Sequence, residues 1–578
     1  MRTLKLSAWS LAILAGITAY LAVVLTHNLN DSRFLWLLAP ALICGFISIM
    51  LFKKLDYQKL LKSLRNKWGS KQKPDKKQDF SKNRSLFDLV AKESTVFTID
   101  DRTWQDLNMD HVFTEIDRTL TDCGRQCLYK MLRWPLFDHN QLEQRAELIR
   151  LFQEKPKIRQ DVQVILSKIG ISDGIGMVRL LWDPPAIWHS RYSLLHSLMF
   201  YCALISPLAF LVSIVHGVLA VLTVFIINSF IYYNVQKKIS IYFNGVKSLS
   251  KLLYWGKKLN KIEADELNSI QSELRTAVSR VASYWRTTSF IGLDSAYSAD
   301  PIMGTLLQYI NIYFLIEIKG FYRAINIINK NRQSFRTIFQ IIGDLDAYQA
   351  IASYRESLQY YCEPALKTTR LDVKEIRGIE MYHPLLKNPV ANSLTVQDKG
   401  ILITGSNMSG KSTFLRTIGI NALFAQTVYT CFAREYKSEF VKLLTVIGRA
   451  DNIIEGKSYY LVEAQSILRI ISQTKQNDEI TTLAILDEMY RGTNSEERIK
   501  AGCSVLRYIV HQNSFVLAAT HDLELTNMLA SDFDNYHFRE ELAEHGLSFD
   551  YTLKPGPSTT RNAIQLLKIL GYPEEITQ

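Results

Sequence analysis

Two long apolar runs open the chain. Leu6 to Thr26 carries no charge and has about the 20 residues needed to cross a bilayer as a helix; Phe34 to Phe52 is a second such run. The short polar stretch His27 to Arg33 between them suits a hairpin. A third apolar region, Leu194 to Tyr233, is too long for one span, and His216-Gly217 near its middle predicts a tight turn between two spans. A single buried hairpin of a soluble domain is the alternative. Pro207 is tolerable in a membrane helix. None of the four runs contains Asp, Glu, Lys or Arg. Intramembrane ionisable groups usually mark ion or substrate pathways, so their absence favours anchoring over transport.

Elsewhere the period changes. Gln141 to Phe152 and Ile158 to Ile169 repeat apolar residues at helical spacing. Val112, Ile116 and Leu120 predict one face of a helix after a turn at Asp106 to Asp110. From Ile239 to Tyr361 a second helical block follows. There, Leu306, Ile310, Tyr313, Ile316 and Ile318 predict one apolar face, and Phe335, Ile338, Ile341 and Ile342 another. Both suit a packed scaffold. From about Leu371 short apolar strands alternate with helices, as in an α/β domain with a largely parallel sheet.

Charge adds orientation. Lys plus Arg number 68 and Asp plus Glu 56, a net charge of +12 that suits nucleic acid or an anionic membrane surface without choosing between them. Lys53, Lys54, Lys59, Lys62, Arg65, Lys67 and further basic residues to Arg84 follow the second run closely, which places that side in the cytoplasm. Arg191 before the third region and Lys237-Lys238 after it do the same. Both chain ends and the α/β domain are therefore expected to be cytoplasmic, on a plasma or inner membrane. Arg2 and Lys5 precede the first run as in a signal peptide, but its length and the second span close behind favour a retained helix. The 7 cysteines are scattered, and Cys123 and Cys127 have no second Cys/His pair, so no metal cluster or disulfide framework is expected.

The chemistry is concentrated near Gly405. Residues Gly405 to Thr413 read GSNMSGKST, which fits G-x-x-x-x-G-K-[ST] between an apolar strand, Ile401 to Ile403, and a helix-like stretch, Phe414 to Gln426. In such a loop, backbone N–H groups of Gly405, Ser406, Asn407, Met408, Ser409, Gly410, Lys411, Ser412 and Thr413 cradle phosphates at a helix N-terminus. Lys411 reaches the β- and γ-phosphates of ATP, and the Ser412 hydroxyl serves Mg²⁺. Downstream, the apolar strand Thr482 to Leu486 ends in Asp487-Glu488. Asp487 would hold Mg²⁺, and Glu488 would orient or deprotonate the attacking water. The strand Phe515 to Ala519 ends in Thr520-His521-Asp522, where His521 is placed to sense the γ-phosphate.

These motifs resemble the MutS family of DNA mismatch-recognition ATPases. TGSNMSGKST (404–413) is similar to the family's TGPNM(G/S)GKST loop, and EGKSYYLVE (455–463) to its SGRSTFMVEM segment. LDEMYRGTNS (486–495) is similar to LMDEIGRGTST, Ala519-Thr520-His521 to its ATH, and residues 551–576 to its ending. More weakly, residues 99–135 resemble the start of its helical core, and Tyr382 to Leu385 the approach to its ATPase domain. The resemblance implies a dimer with two composite ATP sites. Ser458 would cross to the γ-phosphate of the partner's site, Asn407 and His521 would act near the γ-phosphate, and Arg491 to Asn494 would couple the subunits. The LSGGQ signature of the related ABC transporters is absent. The sequence departs from the family at the N-terminus, where a membrane hairpin stands in place of a mismatch-reading domain. Phe113-Thr114-Glu115 matches that domain's Phe-x-Glu wedge only in letters. Pro389 stands where an adenine-stacking aromatic is expected, and Ser406 replaces the loop's proline.

The expected architecture is multidomain: α-helical membrane hairpins and a helical core, plus a C-terminal α/β P-loop domain of the ABC/MutS type. Residues 1–52 would form the first hairpin, 53–95 a basic cytoplasmic linker and 96–190 a core-like helical region. Residues 191–236 would form the second hairpin, 237–370 a further helical core region and 371–578 the ATPase domain. The expected function is a membrane-anchored, Mg²⁺-dependent ATPase that homodimerises through this domain and couples nucleotide state to conformation, with DNA as the ligand. A nucleotide-switched membrane scaffold that does not touch DNA is the alternative.

Overall fold

The structure is a computed structural model that describes residues 2–29, 32–71, 80–172, 174–184, 190–284, 301–367, 374–406, 408–448, 459–474, 479–490, 492–543, 546–558 and 572–573. Four of its helices are long and apolar enough to cross a membrane. The first two, α1 (Arg2–Leu29) and α2 (Leu38–Lys67), pack side by side. Ser48 Oγ donates to Ala8 O at 2.7 Å, and Trp9 meets Phe52 edge-on at 5.5 Å. Their outer faces stay exposed, as at Leu6, Leu42 and Phe46.

Helix α2 runs without a break from the apolar run through the basic stretch to Lys67. Its far end is fastened to the helical core. Arg65 Nη2 donates to Gln160 Oε1 at 2.9 Å, Arg159 lies 3.9 Å over the Trp68 ring, and Gly69 N donates to Ser353 Oγ at 3.2 Å.

That core is built from α3 (Phe80–Ala91), α4 (Asp101–Asp106), α5 (Met109–Ile116), α6 (Asp122–Arg133), α7 (His139–Glu154), α8 (Pro156–Ile169) and α9 (Gly174–Trp182). Two short turns separate α4, α5 and α6, and the segment after Ile116 departs from expectation. Leu120 does not continue the face of Val112 and Ile116, because α5 stops at Ile116. The cause is Asp346, a fully buried carboxylate. It accepts from Leu120 N at 3.0 Å, Thr121 N at 2.8 Å and Thr121 Oγ1 at 2.6 Å. Those bonds hold the loop extended and set Thr121 as the N-cap of α6. Burial pushes the Asp346 carboxyl up to about 6, against these bonds.

The second hairpin consists of α10 (Ser190–Ile205) with a 3-10 extension, Ser206–Leu211, and α11 (Ile214–Leu259). The turn lies at Val212-Ser213, not at His216-Gly217. Ser213 caps α11, and Gly217 sits inside its first turns. A Cβ at Gly217 would come within 2.4 Å of the Phe210 ring, so this glycine serves close packing across the hairpin. Helix α11 is unbroken for 46 residues and continues from the apolar region into the core. There it crosses α9 at touching distance: a Cβ on Gly245 would meet the backbone of Gly176 at 2.5 Å.

Helix α12 (Asn268–Arg280) follows, and then α13 (Pro301–Phe314), α14 (Ile316–Lys330) and α15 (Arg332–Arg355). The predicted single face from Leu306 to Ile318 is divided, because Leu315 takes φ +51° and ends α13. Leu306 and Ile310 are exposed, while Ile318 is buried. Phe335, Ile338 and Ile342 are buried in the main core as expected, with Ile341 packed against it.

The C-terminal domain has two sheets. A small one runs β1-β5-β2-β3, from β1 (Ala365–Lys367), β2 (Ile376–Met381), β3 (Asn392–Val396) and β5 (Glu435–Glu439). It is mostly antiparallel, which the expectation of a largely parallel sheet did not separate. The larger sheet runs β10-β9-β4-β8-β7-β6. Its strands are β4 (Gly400–Thr404), β6 (Val441–Val446), β7 (Thr481–Asp487), β8 (Ser514–Ala519), β9 (Phe533–Ala543) and β10 (Gly546–Pro555). All its pairings are parallel except that of β9 with β10. Strand β4 is completely buried in the middle, and α16 (Lys411–Thr427) leaves the loop that follows it.

Candidate functional site

In a parallel sheet the residues beyond the carboxyl ends of central strands converge. Here β4 ends at Thr404, β7 at Asp487 and β8 at Ala519, and the three stand next to one another. Register fixes the levels: Ile403 pairs with Ala519, and Asp487 pairs with Ala519 from the other side. The phosphate-type loop, the acidic pair and His521 therefore open on one place.

The loop takes the backbone its sequence calls for. Gly405 has φ +142° and Gly410 +107°, both in the region that favours glycine. Lys411, only 4 % exposed, donates from Nζ to Gly405 O at 2.7 Å and Ser406 O at 2.8 Å. Its ammonium lies 3.8 Å from Glu488 Oε1. Ser412 Oγ donates to Asp487 Oδ2 at 2.5 Å. Met408 is exposed and Ser409 buried. Asn407 lies outside the described residues, as do Ser458 and Arg491.

Glu488 follows β7 with φ +50°, and Tyr490 has +60°. Left-handed backbone at non-glycine residues costs of order 1 kcal/mol or more and needs support. Support is visible: Glu488 N donates to Ala519 O at 2.8 Å, and Tyr490 N donates to the buried Glu463 carboxylate at 2.7 Å. The turn aims the Glu488 side chain back over the loop. His521 Nδ1 lies 3.7 Å from Glu488 Oε2. Asp522, beside it, is held by Arg498 at 2.9 and 2.6 Å. Asn494 caps α17 (Ser495–Val510) through Glu497 N at 2.9 Å, and Thr493 bonds Glu497.

A cavity of about 480 Å³ opens over the loop. Ser406, Met408, Gly410 to Phe414 and Glu488 line it from the loop and the acidic turn, and Met381, His383, Asn388, Val390 and Tyr551 from the other strands. Pro389 is not among the lining residues. Tyr551 closes the cavity from β10, with its ring 3.2 Å from where a Cβ of Gly410 would stand. Asn392 holds it there: Asn392 Nδ2 donates to Tyr551 O at 2.9 Å and Oδ1 accepts Leu553 N at 2.7 Å. Sequence reasoning gave Tyr551, His383, Asn392 and Glu463 no part in this site. Their strands come together only in the fold. The local signal was that Tyr551, His383 and Glu463 all lie in segments already quoted for their resemblance.

The donor set fits a nucleotide and a hard cation. Ser406 Oγ, Ser409 Oγ and Asp487 Oδ1 are buried polar atoms with no protein partner, aligned along the loop and the strand end. Buried polar atoms normally find partners, so these stand ready for phosphate oxygens, water or a cation. A serine hydroxyl and a carboxylate oxygen are the ligand types Mg²⁺ takes alongside phosphates and waters.

The family model described as MutS domain V matches residues 401–578. The C-terminal part of the chain is thus similar to the MutS family's domain V. Among the relatives is the DNA mismatch repair protein MutS of Thermus aquaticus, 30 % identical over 252 residues, which are 43 % of this chain and 30 % of that protein. That of Petrotoga mobilis is 30 % identical over 256 residues, covering 41 % and 29 %. That of Streptococcus pneumoniae strain Hungary19A-6 is 28 % identical over 274 residues, covering 45 % and 31 %. The chain thus spans less than a third of the length of these relatives. At the family level the match carries an ATPase domain that binds nucleotide.

His383 provides a pH signature. Burial, with the Arg416 guanidinium second, pushes its imidazole down to about 4. The folded protein thus holds His383 neutral where an unfolded chain, at about 6.5, would protonate it. Stability from this group is complete above about pH 6.5 and is lost as pH falls towards 4. Denaturation of detergent-solubilised protein should lose about 2 kcal/mol more between pH 7 and pH 4.5 than His383→Gln does. Equal losses would refute the assignment.

Proposed function

We propose that this protein is a membrane-anchored, Mg²⁺-dependent ATPase whose two MutS-type domains close on nucleotide within a homodimer, and which couples that closure to DNA held near the membrane in a mismatch-repair-related role. The observation that carries the reading is the convergence of Lys411, the Ser412–Asp487 pair, Glu488 and His521 at three neighbouring strand ends. Lys411 would bind the terminal phosphates. Ser412 and Asp487 would hold Mg²⁺, which neutralises charge on the phosphate oxygens. Glu488 would take a proton from the attacking water, and His521, 3.7 Å away, would orient that carboxylate and the γ-phosphate. Asn407 and, from the partner subunit, Ser458 would complete the γ-phosphate shell, as the family resemblance implies.

The base would lie between Tyr551 and His383 in the cavity. A stacked base contributes about 1–3 kcal/mol. Tyr551→Ala should therefore weaken ATP binding about tenfold, read by titration with a fluorescent ATP analogue. An unchanged Kd would place the base elsewhere.

Four apolar helices support anchoring, and the basic residues beside α2 and α11 support a cytoplasmic ATPase domain on a plasma or inner membrane. A second reading, a nucleotide-switched scaffold without DNA, is favoured by α11. The outer half of this long helix, Ile214 to Tyr233, carries no Lys or Arg to meet phosphates. The deciding experiment measures ATP turnover and DNA binding by the purified full chain, with homoduplex, mismatched and branched DNA, across salt concentrations. Binding that falls steeply with salt and stimulates turnover supports the DNA reading. No binding at low salt removes it and leaves the scaffold.

A further inference from the structure

From Pro301 to Ile316 the chain has no Asp, Glu, Lys or Arg. A helix this apolar belongs in a protein interior or in hydrocarbon. Helix α13 is not interior: Leu306 is 54 % exposed, Tyr309 56 % and Ile310 38 %. Its other face packs on the second hairpin in regular steps. Tyr309, at the edge of the exposed face, meets Phe225 with ring centroids 6.1 Å apart, Tyr313 O accepts from Asn228 Nδ2 at 2.6 Å, and just past the helix, at the start of α14, Glu317 Oε2 accepts from the Tyr232 hydroxyl at 3.3 Å. The pairs advance in the same direction along both chains, so α13 runs parallel to α11. Against α10 it runs antiparallel, with Phe314 beside Phe200 and the Tyr313 hydroxyl 2.6 Å from Ser206 Oγ. Phe225 to Tyr232 belong to the apolar half of α11, so α13 lies at the depth of the candidate span. Its N-terminal end points towards the hairpin turn. At 1.5 Å per residue it covers about 21 Å.

We infer that α13 is a third helix embedded in the bilayer, docked on the second hairpin with Leu306, Tyr309 and Ile310 against the acyl chains. The inference rests on reading that hairpin as membrane-embedded. Lipid is the occupant because this face continues the exposed apolar surface of α11 at Leu222, Ile226 and Phe230. The helix end also meets the demand that hydrocarbon makes of backbone. Irregular backbone is tolerated at membrane depth only where protein covers it. Leu315, at the break, is completely buried. Asn228, itself 0 % exposed, bonds the Tyr313 carbonyl, and Asn311 Oδ1 accepts Glu317 N at 2.9 Å. Tyr232, Ile312, Leu315 and Ile318 form a small core of their own, separate from the main one. Asn228 thereby fastens α13 to the hairpin, and Asn311 ties the end of α13 to the start of α14.

The test uses the full chain in native membranes, with Leu306→Cys and Ile310→Cys compared with Leu219→Cys on α11 and Lys330→Cys at the end of α14. A membrane-impermeant maleimide is applied from the cytoplasmic side, and modification is read peptide by peptide by mass spectrometry, so the native cysteines do not interfere. The thiolate reacts only where water reaches it. Leu306→Cys and Ile310→Cys should react at least about tenfold more slowly than Lys330→Cys, and as slowly as Leu219→Cys. In the unsubstituted protein, an apolar carbene reagent dissolved in the lipid should label the peptide containing Leu306 and Ile310. Fast modification at 306 and 310 with protection at 219 overturns the inference while the hairpin stands. Fast modification at all four positions removes the membrane reading itself. Protection without carbene labelling, together with oxidative cross-linking of Leu306→Cys between chains, overturns it in favour of a subunit interface.

Discussion

Glu488→Gln should bind ATP as the unsubstituted protein does and turn it over at least about 100-fold more slowly, the usual contribution of a positioned general base. The carboxylate stands on a left-handed backbone turn, 3.8 Å from the Lys411 ammonium and 3.7 Å from His521. Glutamine keeps the shape and can still accept a hydrogen bond, but it cannot take a proton from water. The phosphate cradle is made by the loop and Lys411, so affinity should hold. Binding by nucleotide titration and turnover by phosphate release separate the two effects. Turnover within about threefold of the unsubstituted protein would remove Glu488 from the chemistry, because a lost general base costs far more.

Arg355→Ala should destabilise the protein by about 3–5 kcal/mol, as expected when one partner of a buried charged network is deleted. Arg355 ends α15, and its side chain is fully buried. It donates to Tyr429 O at 2.7 Å and Thr430 Oγ1 at 2.9 Å in the ATPase domain, and to Glu363 Oε1 at 3.0 Å. Burial lowers its affinity for the proton, with Glu363 opposing. Removing it leaves Glu363 with Arg150 alone, at 2.7 Å, and takes the donor from the buried Tyr429 carbonyl and Thr430 hydroxyl at the junction of helical core and C-terminal domain. Arg355→Lys should recover part of the loss, since it restores charge but not the planar fork. An unchanged denaturation midpoint in Arg355→Ala would show that the junction is held by its other contacts. Chief among these is Asp106, whose Oδ2 accepts Ile447 N at 2.7 Å and Thr445 Oγ1 at 2.9 Å.

Much of the candidate site was legible because a phosphate-type loop demands fixed residue types at fixed spacing. GSNMSGKST has to follow a strand and open a helix, and β4 and α16 flank it as expected. An acidic pair at a strand end is equally constrained. The cavity's other wall was not legible, since Met381, His383 and Tyr551 meet only through the pairing of separate strands. Within the helical part, periodicity identified helices without identifying what they face. Leu306 and Ile310 have helical spacing, but spacing alone cannot tell a lipid-facing side from a protein core. Leu120 was misplaced because the side chain that ends α5, Asp346, comes from 226 residues downstream. Gly217 looked like a turn because glycine permits one. Here the missing Cβ makes room for Phe210.

Helix α11 has a mechanical consequence. Its 46 residues form one rod about 69 Å long, from the hairpin turn past Gly245, where it is pinned against Gly176. A rod pinned near one end magnifies angles. From the pin at Gly245 to the tip at Ile214 is about 46 Å, so a tilt of about 5° would carry that tip sideways by about 4 Å. A shift of about 1 Å at the core end of the rod, about 21 Å beyond the pin, would then appear at the hairpin tip as about 2 Å.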